Sequence, residues 1–253
     1  LHPEKVIRGK DNRSGIFFIF WEQSFERLSG EGIGKNSSDF FFFFHTFLWV
    51  FLPWTILGIA AYNAKAKRLI KLKFKYNDKF EVLTLGGITL IFAVISFAQF
   101  KLPHYLNITI PLFAVLTASY LYDLYRFDRE KATRLLMKGQ YFILGVVFIA
   151  SALICFYVFE LKSIVTNIFL SIAGLIIIFY ALKREGVYVR LITISVCSSL
   201  LLNTVLNLHF YPNLLEFQGG SSMAKIIKLK NIPVDRVYKV TSDYTWSLDF
   251  YNQ

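Results

Sequence analysis

A short segment that combines basic and aromatic side chains, Lys101-Leu102-Pro103-His104-Tyr105, offers chemistry suited to an anion. Pro103 cannot continue a helix, so one helix should end near Lys101 and the next should begin within about two residues. Lys101, His104 and Tyr105 would then share one tight turn. An ammonium and a phenol hydroxyl are good donors to a phosphate oxyanion. The alternative is structural: Lys101 complements the preceding helix dipole, and Tyr105 joins an aromatic belt.

Two further candidates lie near the N-terminus. The guanidinium of Arg27 can bind a phosphate through two parallel hydrogen bonds, which a lysine cannot do. Alternatively, Arg27 pairs with Gln23 or contacts bulk headgroups. Glu22 either orients Arg27 or is a solvated surface residue. Both candidates belong to one predicted helix, because the apolar residues Phe17, Trp21, Phe25 and Leu28 are spaced as one helical stripe.

The other polar residues favour structural roles. His45 is expected to be a satisfied helix histidine, and Asn203 and Asn207, four residues apart, to form hydrogen bonds between helices. Cys155 and Cys197 lie in apolar blocks, where a thiol behaves as a small hydrophobe. The sequence contains no Cys-His metal spacing, no Gly-rich phosphate loop and no serine-hydrolase arrangement. No metal site is therefore predicted.

The elements that position these residues are apolar blocks long enough to cross a membrane. Hydrophobic residues make up 55% of the 253 residues, and they are gathered into blocks of the length that a spanning helix needs, roughly 20 residues. This pattern predicts an all-α membrane protein of about six transmembrane helices. The blocks are Phe40–Tyr62, Val82–Phe100, Tyr105–Tyr122, Tyr141–Phe159, Ile164–Leu182 and Val187–Leu208.

The charge distribution predicts the orientation of these blocks. The net charge of +11 is concentrated in Asn63–Glu81, in Tyr122–Gln140 and at Lys183 and Arg184, which are alternate loops of the predicted bundle. Basic loops stay in the cytoplasm under the positive-inside rule, so nucleic-acid binding is not needed to explain the charge. The segments 1–39, 101–104, 160–163 and 209–253 are then extracytoplasmic, and the protein is a multi-pass membrane protein with both chain ends outside.

Three regions follow from this reading. Residues 1–39 form an extracytoplasmic loop with a helix at Phe17–Leu28 lying in the outer interface, and residues 40–208 form the six-helix region. Residues 209–253 begin a small extracytoplasmic α/β domain, with a helix at Met223–Leu229, a strand at Val237–Val240 and a further helix reaching Phe250. The polar opening and abrupt end predict that the chain is a piece of a longer protein.

Three groups of residues together resemble a known family. They are Phe20-Trp21-Glu22-Gln23-Ser24-Phe25-Glu26-Arg27, then Phe44-His45-Thr46-Phe47-Leu48-Trp49 with Leu52-Pro53-Trp54, then Lys101-Leu102-Pro103-His104-Tyr105. In order and spacing they are similar to bacterial membrane glycosyltransferases related to 4-amino-4-deoxy-L-arabinose transferase and to protein mannosyltransferases. The resemblance covers about residues 15–115, and the later helices match only in kind.

The resemblance implies transfer of a sugar from a polyprenyl-phosphate carrier to a lipid, glycan or protein acceptor at the outer face of the membrane. It implies that this membrane is the bacterial inner membrane and that Arg27, Lys101 and Tyr105 contact the carrier phosphate. His104, in the same turn, and Glu22, on the same predicted helix as Arg27, are further candidates for binding it. The family's catalytic carboxylate belongs to a loop without a counterpart here, and neither Glu22 nor Asp39 replaces it, so this chain alone should be inactive. The alternative is a non-enzymatic lipid-phosphate-binding protein, such as a flippase or an assembly scaffold.

Overall fold

The computed structural model describes residues 15–17, 21, 39–73, 82–98, 101–160, 164–183, 186–233, 236–238, 248 and 250. These residues are mostly helical and none of them forms a strand, which confirms the predicted all-α class. The helices are α1 Phe42–Val50, α2 Thr55–Lys71, α3 Val82–Phe97, α4 Ile110–Arg126, α5 Glu130–Leu153, α6 Ile164–Leu182, α7 Val187–Val205, α8 Tyr211–Leu215 and α9 Gly219–Leu229. A 3₁₀ turn, Pro103–Ile108, precedes α4, and π-helical turns follow α5 (Ile154–Val158) and α7 (Leu206–Phe210).

The chain divides into two compact units. The first unit comprises residues 1–142 with 185–195, and the second comprises residues 143–184 with 196–253. Helices α5 and α7 each contribute residues to both units. The predicted division at residues 39 and 208 stays a prediction.

An aromatic core holds the first unit together. Phe43, Phe47 and Phe51 recur every four residues, so they share one face of the first helical segment. That face packs on α4, where the rings of Phe47 and Phe113 lie 4.3 Å apart between centroids. A side chain at Gly58 would come within 2.8 Å of the Phe51 ring, so the absent Cβ allows α2 to approach this core.

The first predicted block, Phe40–Tyr62, is not one helix. Helix α1 ends at Val50 and α2 begins at Thr55, because Pro53 removes a backbone donor and cannot continue α1. The Thr55 hydroxyl donates to the Leu48 carbonyl at 2.9 Å, which satisfies a carbonyl at the end of α1. The end of α1 and the start of α2 are therefore joined by a hydrogen bond.

Where the structure describes them, the two predicted basic loops Asn63–Glu81 and Tyr122–Gln140 are mostly helical. Helix α2 continues through Lys71, and α5 begins at Glu130, well before the predicted start at Tyr141. Basic residues continue both helices because lysine and arginine have good helix propensity and long apolar stems. Helix α6 has the predicted bounds, Ile164–Leu182.

Two helical segments are long and apolar enough to cross a membrane, Glu130–Val158 and Val187–Leu215, with 29 residues each. Helix α3 and residues Asn167–Tyr180 of α6 are apolar but shorter. By length and composition, the described part of the chain therefore contains two candidate spans.

The described residues of the C-terminal segment are mostly helical. The helix predicted at Met223–Leu229 is confirmed within α9, and its Ala224 and Ile227 are buried with Leu248. The strand predicted at Val237–Val240 is wrong at its first two positions, because Val237 and Tyr238 form no strand. Val237 instead packs against the α9 cluster, and none of the described residues forms a strand with which it could pair.

The helix predicted at Phe17–Leu28 falls mostly outside the described residues. Gly15–Phe17 is helical, and the rings of Phe17 and Trp21 stack with centroids 6.1 Å apart. That spacing agrees with one stripe of a helix at these two positions. Phe25 and Leu28 lie outside the described residues.

Candidate functional site

The turn around Lys101 is held in place by one buried side chain. Leu102 is extended, with φ −129° and ψ 141°, and Pro103 then opens the 3₁₀ turn with its fixed φ. Leu106 is fully buried in the aromatic core of the first unit, and this packing fixes the turn against the core. The Thr109 backbone N–H and hydroxyl both donate to the Leu106 carbonyl at 2.8 Å, and α4 starts at the next residue.

Lys101 points into the protein. Only 6% of the residue is exposed, and its Nζ donates to the backbone carbonyl of Asp39 at 2.9 Å. This hydrogen bond ties the turn to the segment that leads into α1. The contact supports the structural alternative for Lys101, that of holding two elements together, and it also keeps the ammonium in a defined position.

Tyr105 and His104 lie on the same turn with different surroundings. The Tyr105 ring is half-buried and stacks on Phe43 at 6.5 Å between centroids, whereas His104 is exposed. The His104 ring meets the Tyr105 ring edge-on at 4.9 Å. The three residues are therefore close along one turn, where a ring contact joins His104 to Tyr105 and the Lys101 ammonium is bonded to Asp39. Arg27 and Glu22 lie outside the described residues.

An apolar groove of about 730 Å³ runs along the first unit between α1, α2 and α3. At one end the rings of Phe40 and Phe97 lie 5.5 Å apart, and at the other end the Tyr62 and Thr89 hydroxyls are hydrogen-bonded at 2.8 Å. Its α3 wall extends from Ile88 to Phe97, about 13 Å at the rise of a helix. The lining of this groove is mainly aromatic and aliphatic, which is the kind of surface that an apolar chain binds.

The groove ends beside the Lys101 turn. Phe40 lines the groove and directly follows Asp39, whose carbonyl accepts the hydrogen bond from Lys101. Ser96 also lines this end, is 2% exposed, and its hydroxyl has no hydrogen-bond partner among the described residues. This end of the groove therefore carries a buried hydroxyl and lies one residue along the chain from Asp39, to which Lys101 is bonded; Lys101 itself does not line the groove. His45, expected to be structural, lines the groove as well.

Sequence reasoning missed two buried polar groups. Lys65 forms an ion pair with Asp123 at 2.6 Å, and the signal was available, since Asp123 is a lone carboxylate in the final turns of an apolar helix. His209 is 4% exposed and its Nε2 lies 2.6 Å from the Phe159 carbonyl. Its separation of 50 residues from Phe159 left no local pattern to detect.

The prediction for Asn203 and Asn207 is corrected. Their amide groups donate to the Ser199 carbonyl at 2.9 Å and the Asn203 carbonyl at 2.8 Å, four residues back along the same helical segment. Because both side chains are exposed, they bond locally and do not join two helices.

The described residues define an all-α protein with two segments of membrane-spanning length and an apolar groove beside a cationic turn. No group of three or more His, Cys, Asp or Glu side chains suited to a metal ion occurs among those residues. No protein-family model, curated protein or solved structure matches the chain.

Proposed function

We propose that the chain is a multi-pass membrane protein of about six spans, with its basic segments in the cytoplasm and both described ends outside. The two long apolar segments support this proposal, as do the apolar helices α3 and α6. The first span would combine α1 with the beginning of α2. The basic ends of α2 and α4, at Lys71 and Arg126, agree with the positive-inside rule.

We infer that its function is that of the C-terminal part of a membrane glycosyltransferase that uses a polyprenyl-phosphate-linked sugar. The observation that carries this inference is the apolar groove that ends beside Lys101. An isoprenoid tail would lie along the aromatic walls, while its phosphate would lie at the turn, near Lys101, His104 and Tyr105. Arg27, and Glu22 as its orienting partner, would complete the site.

The turn supplies charge stabilisation for the proposed transfer. As the bond from the sugar to the carrier breaks, negative charge develops on the leaving phosphate, and fixed donors stabilise it. The bond to Asp39 orients the Lys101 ammonium within the turn. A base from elsewhere in the complete enzyme would remove the proton of the acceptor hydroxyl, which is a lipid, a glycan or a protein side chain.

Lipid-phosphate binding without transfer is a second candidate function. No carboxylate lines the groove where the structure describes it, so the described surface supports binding more directly than acid–base chemistry. A flippase or an assembly scaffold would need only the apolar groove and the Lys101 turn.

Substitution of Lys101 tests both candidates in the complete protein. A charge-assisted hydrogen bond contributes roughly 1.5 to 3 kcal/mol, so Lys101→Ala or Arg27→Ala should lower sugar transfer by about ten- to a hundred-fold. Tyr105→Phe should cost less, because it removes a neutral donor and keeps the ring. Lys131→Ala, on an exposed basic face of α5, is the control.

The results separate the two candidates. If Lys101→Ala transferred sugar at the unmodified rate, with the same dependence on the carrier, the turn would have only a structural role. Binding of polyprenyl phosphate that depends on Lys101, without sugar transfer by the complete protein, would favour the non-enzymatic function.

Cysteine labelling in intact cells tests the proposed topology. Lys73 and Ser222 are both exposed, whereas Cys155 and Cys197 are buried, so new cysteines at the first two positions report their own side of the membrane. A membrane-impermeant reagent should label Ser222→Cys and not Lys73→Cys. Labelling of Lys73→Cys alone would invert the topology.

A further inference from the structure

A second concave surface of the first unit lies between the C-terminal parts of α2 and α4. We call it the basic pocket; it has a volume of about 620 Å³ and is lined by the basic residues Lys65, Lys67, Arg68, Lys71 and Arg129. Asp123 is the one carboxylate among its described lining residues. Five basic side chains and one carboxylate therefore line a single cavity. This arrangement differs from a run of basic residues spread over a flat surface.

The floor of the basic pocket is ordered by hydrogen bonds. Lys65 Nζ donates to Asp123 Oδ2 at 2.6 Å and to the Ser119 hydroxyl at 3.0 Å, and the Lys65 side chain is only 13% exposed. These contacts join α2 to α4 and fix the position of the Lys65 ammonium between them. Because Asp123 compensates Lys65, the attraction for an anion comes mainly from the other basic residues.

The rim is formed by exposed cations from two separate segments. Lys67 and Lys71 project from α2, while Arg129 follows the end of α4. A tight turn returns the chain there: Asp128 has a left-handed φ of 47°, and the Arg129 N–H donates to the Leu124 carbonyl at 3.0 Å. Basic residues at a helix C-terminus commonly complement the dipole, but that role does not require Arg129 to meet α2 across a cavity.

We propose that the basic pocket binds a phosphate group, carried either by a free phosphate compound or by the headgroup of an anionic phospholipid. Ammonium and guanidinium groups bind phosphate oxygens through charge-assisted hydrogen bonds, and guanidinium binds them in pairs. Leu72 and Phe127 add an apolar wall beside the cations. Basic pockets between membrane helices bind anionic headgroups in this way. This site is separate from the Lys101 turn and goes beyond the proposed sugar transfer.

Binding to the full chain in an uncharged detergent tests the proposal. The probes are a fluorescent short-chain phosphatidylglycerol, the matching phosphatidylcholine and inorganic phosphate. Phosphatidylglycerol should bind at least about ten-fold more tightly than phosphatidylcholine, because one net charge on the headgroup distinguishes them. The difference should shrink as salt is raised.

Two double variants of equal charge locate the site. Lys67→Gln with Arg129→Gln removes two pocket cations and should weaken phosphatidylglycerol binding by about ten- to a hundred-fold. Lys131→Gln with Arg134→Gln removes one lysine and one arginine outside the pocket and should change binding less than about two-fold. All four side chains are exposed, so both variants should elute as the unmodified chain does in gel filtration.

The probes also separate the two sources of phosphate. Displacement of phosphatidylglycerol by inorganic phosphate indicates recognition of the phosphate group in either source, and lipid binding without such displacement assigns the pocket to a lipid headgroup. Equal losses in both double variants, or equal affinity for the two lipids, would overturn the proposal. Lys101→Ala should leave phosphatidylglycerol binding at the basic pocket unchanged. Failure of the basic-pocket proposal is therefore distinguishable from failure of the proposed function, which depends on Lys101.

Discussion

Two lysines of the first unit, Lys101 and Lys65, are both largely buried but have different partners. Lys101 donates to a backbone carbonyl, that of Asp39, and fixes a turn beside an apolar groove. Lys65 donates to a carboxylate and a hydroxyl and forms the floor of a cavity with other cations at its rim. The comparison teaches that a buried lysine orders a site, whereas exposed neighbours and concavity decide what the site attracts.

The surroundings of the two lysines also suit different parts of a lipid. The groove beside Lys101 has aromatic walls, which accommodate an aliphatic chain, while the basic pocket presents several charges around a small apolar wall. Apolar burial gives affinity in proportion to area, and charge gives selectivity for the headgroup. Changes at the Lys101 turn and at the basic pocket should therefore have different effects, and a change on the exposed face of α5 should affect neither region.

Phe43→Ala should have the largest effect on stability. The ring is fully buried and stacks on Tyr105, so its removal leaves a cavity below the Lys101 turn and should lower the free energy of unfolding by about 3 to 5 kcal/mol. Chemical denaturation in detergent measures this loss. Under conditions where the variant is folded, phosphatidylglycerol binding at the basic pocket should be unchanged; a parallel loss would mean that the two regions depend on each other.

Lys101→Met should cost less, about 1 to 3 kcal/mol, because it keeps the apolar stem and deprives the Asp39 carbonyl of its donor. The same denaturation experiment measures it, with Lys131→Met as the exposed control. If both variants were equally stable, the bond to Asp39 would contribute nothing to the fold.

Asp123→Asn should lower stability by about 1 to 2 kcal/mol, since the pair is only partly buried and solvent screens part of its attraction. The same change removes the carboxylate from the basic pocket, so phosphatidylglycerol binding should tighten by about three- to ten-fold. The expected result is therefore lower stability together with higher affinity for phosphatidylglycerol. Weaker binding would show that Asp123 serves the site chiefly by positioning Lys65.

Arg134→Ala should have the smallest effect. Its guanidinium pairs with Glu130 at 2.9 Å on the exposed face of α5, and such pairs contribute about 0.3 to 0.5 kcal/mol. Denaturation at low and high salt measures it, and the small loss should disappear at high salt. A loss above about 1 kcal/mol would contradict the solvent-exposed role of this pair.

Prediction from sequence worked best where the signal was local. The bounds of α6 followed from one uninterrupted apolar run, and the tight turn followed from Pro103. Prediction was wrong at Val237 and Tyr238, because a short β-branched and aromatic pattern identifies a strand only where a neighbouring strand pairs with it. The interruption at Pro53 had a local signal too, but the hydrophobic run across it favoured one long helix.

The sequence by itself determined the helical class, the positions of the apolar segments and the clustering of basic residues between those segments. These features depend on composition and on the spacing of apolar residues within a single helix. Only the tertiary structure decided that Lys101 turns inward to Asp39 and that Lys65 meets Asp123, 58 residues away. Partners that distant are chosen by how helices pack, and packing depends on side-chain shapes over whole helix faces. The apolar groove and the basic pocket are products of that packing, so no single segment contains either of them.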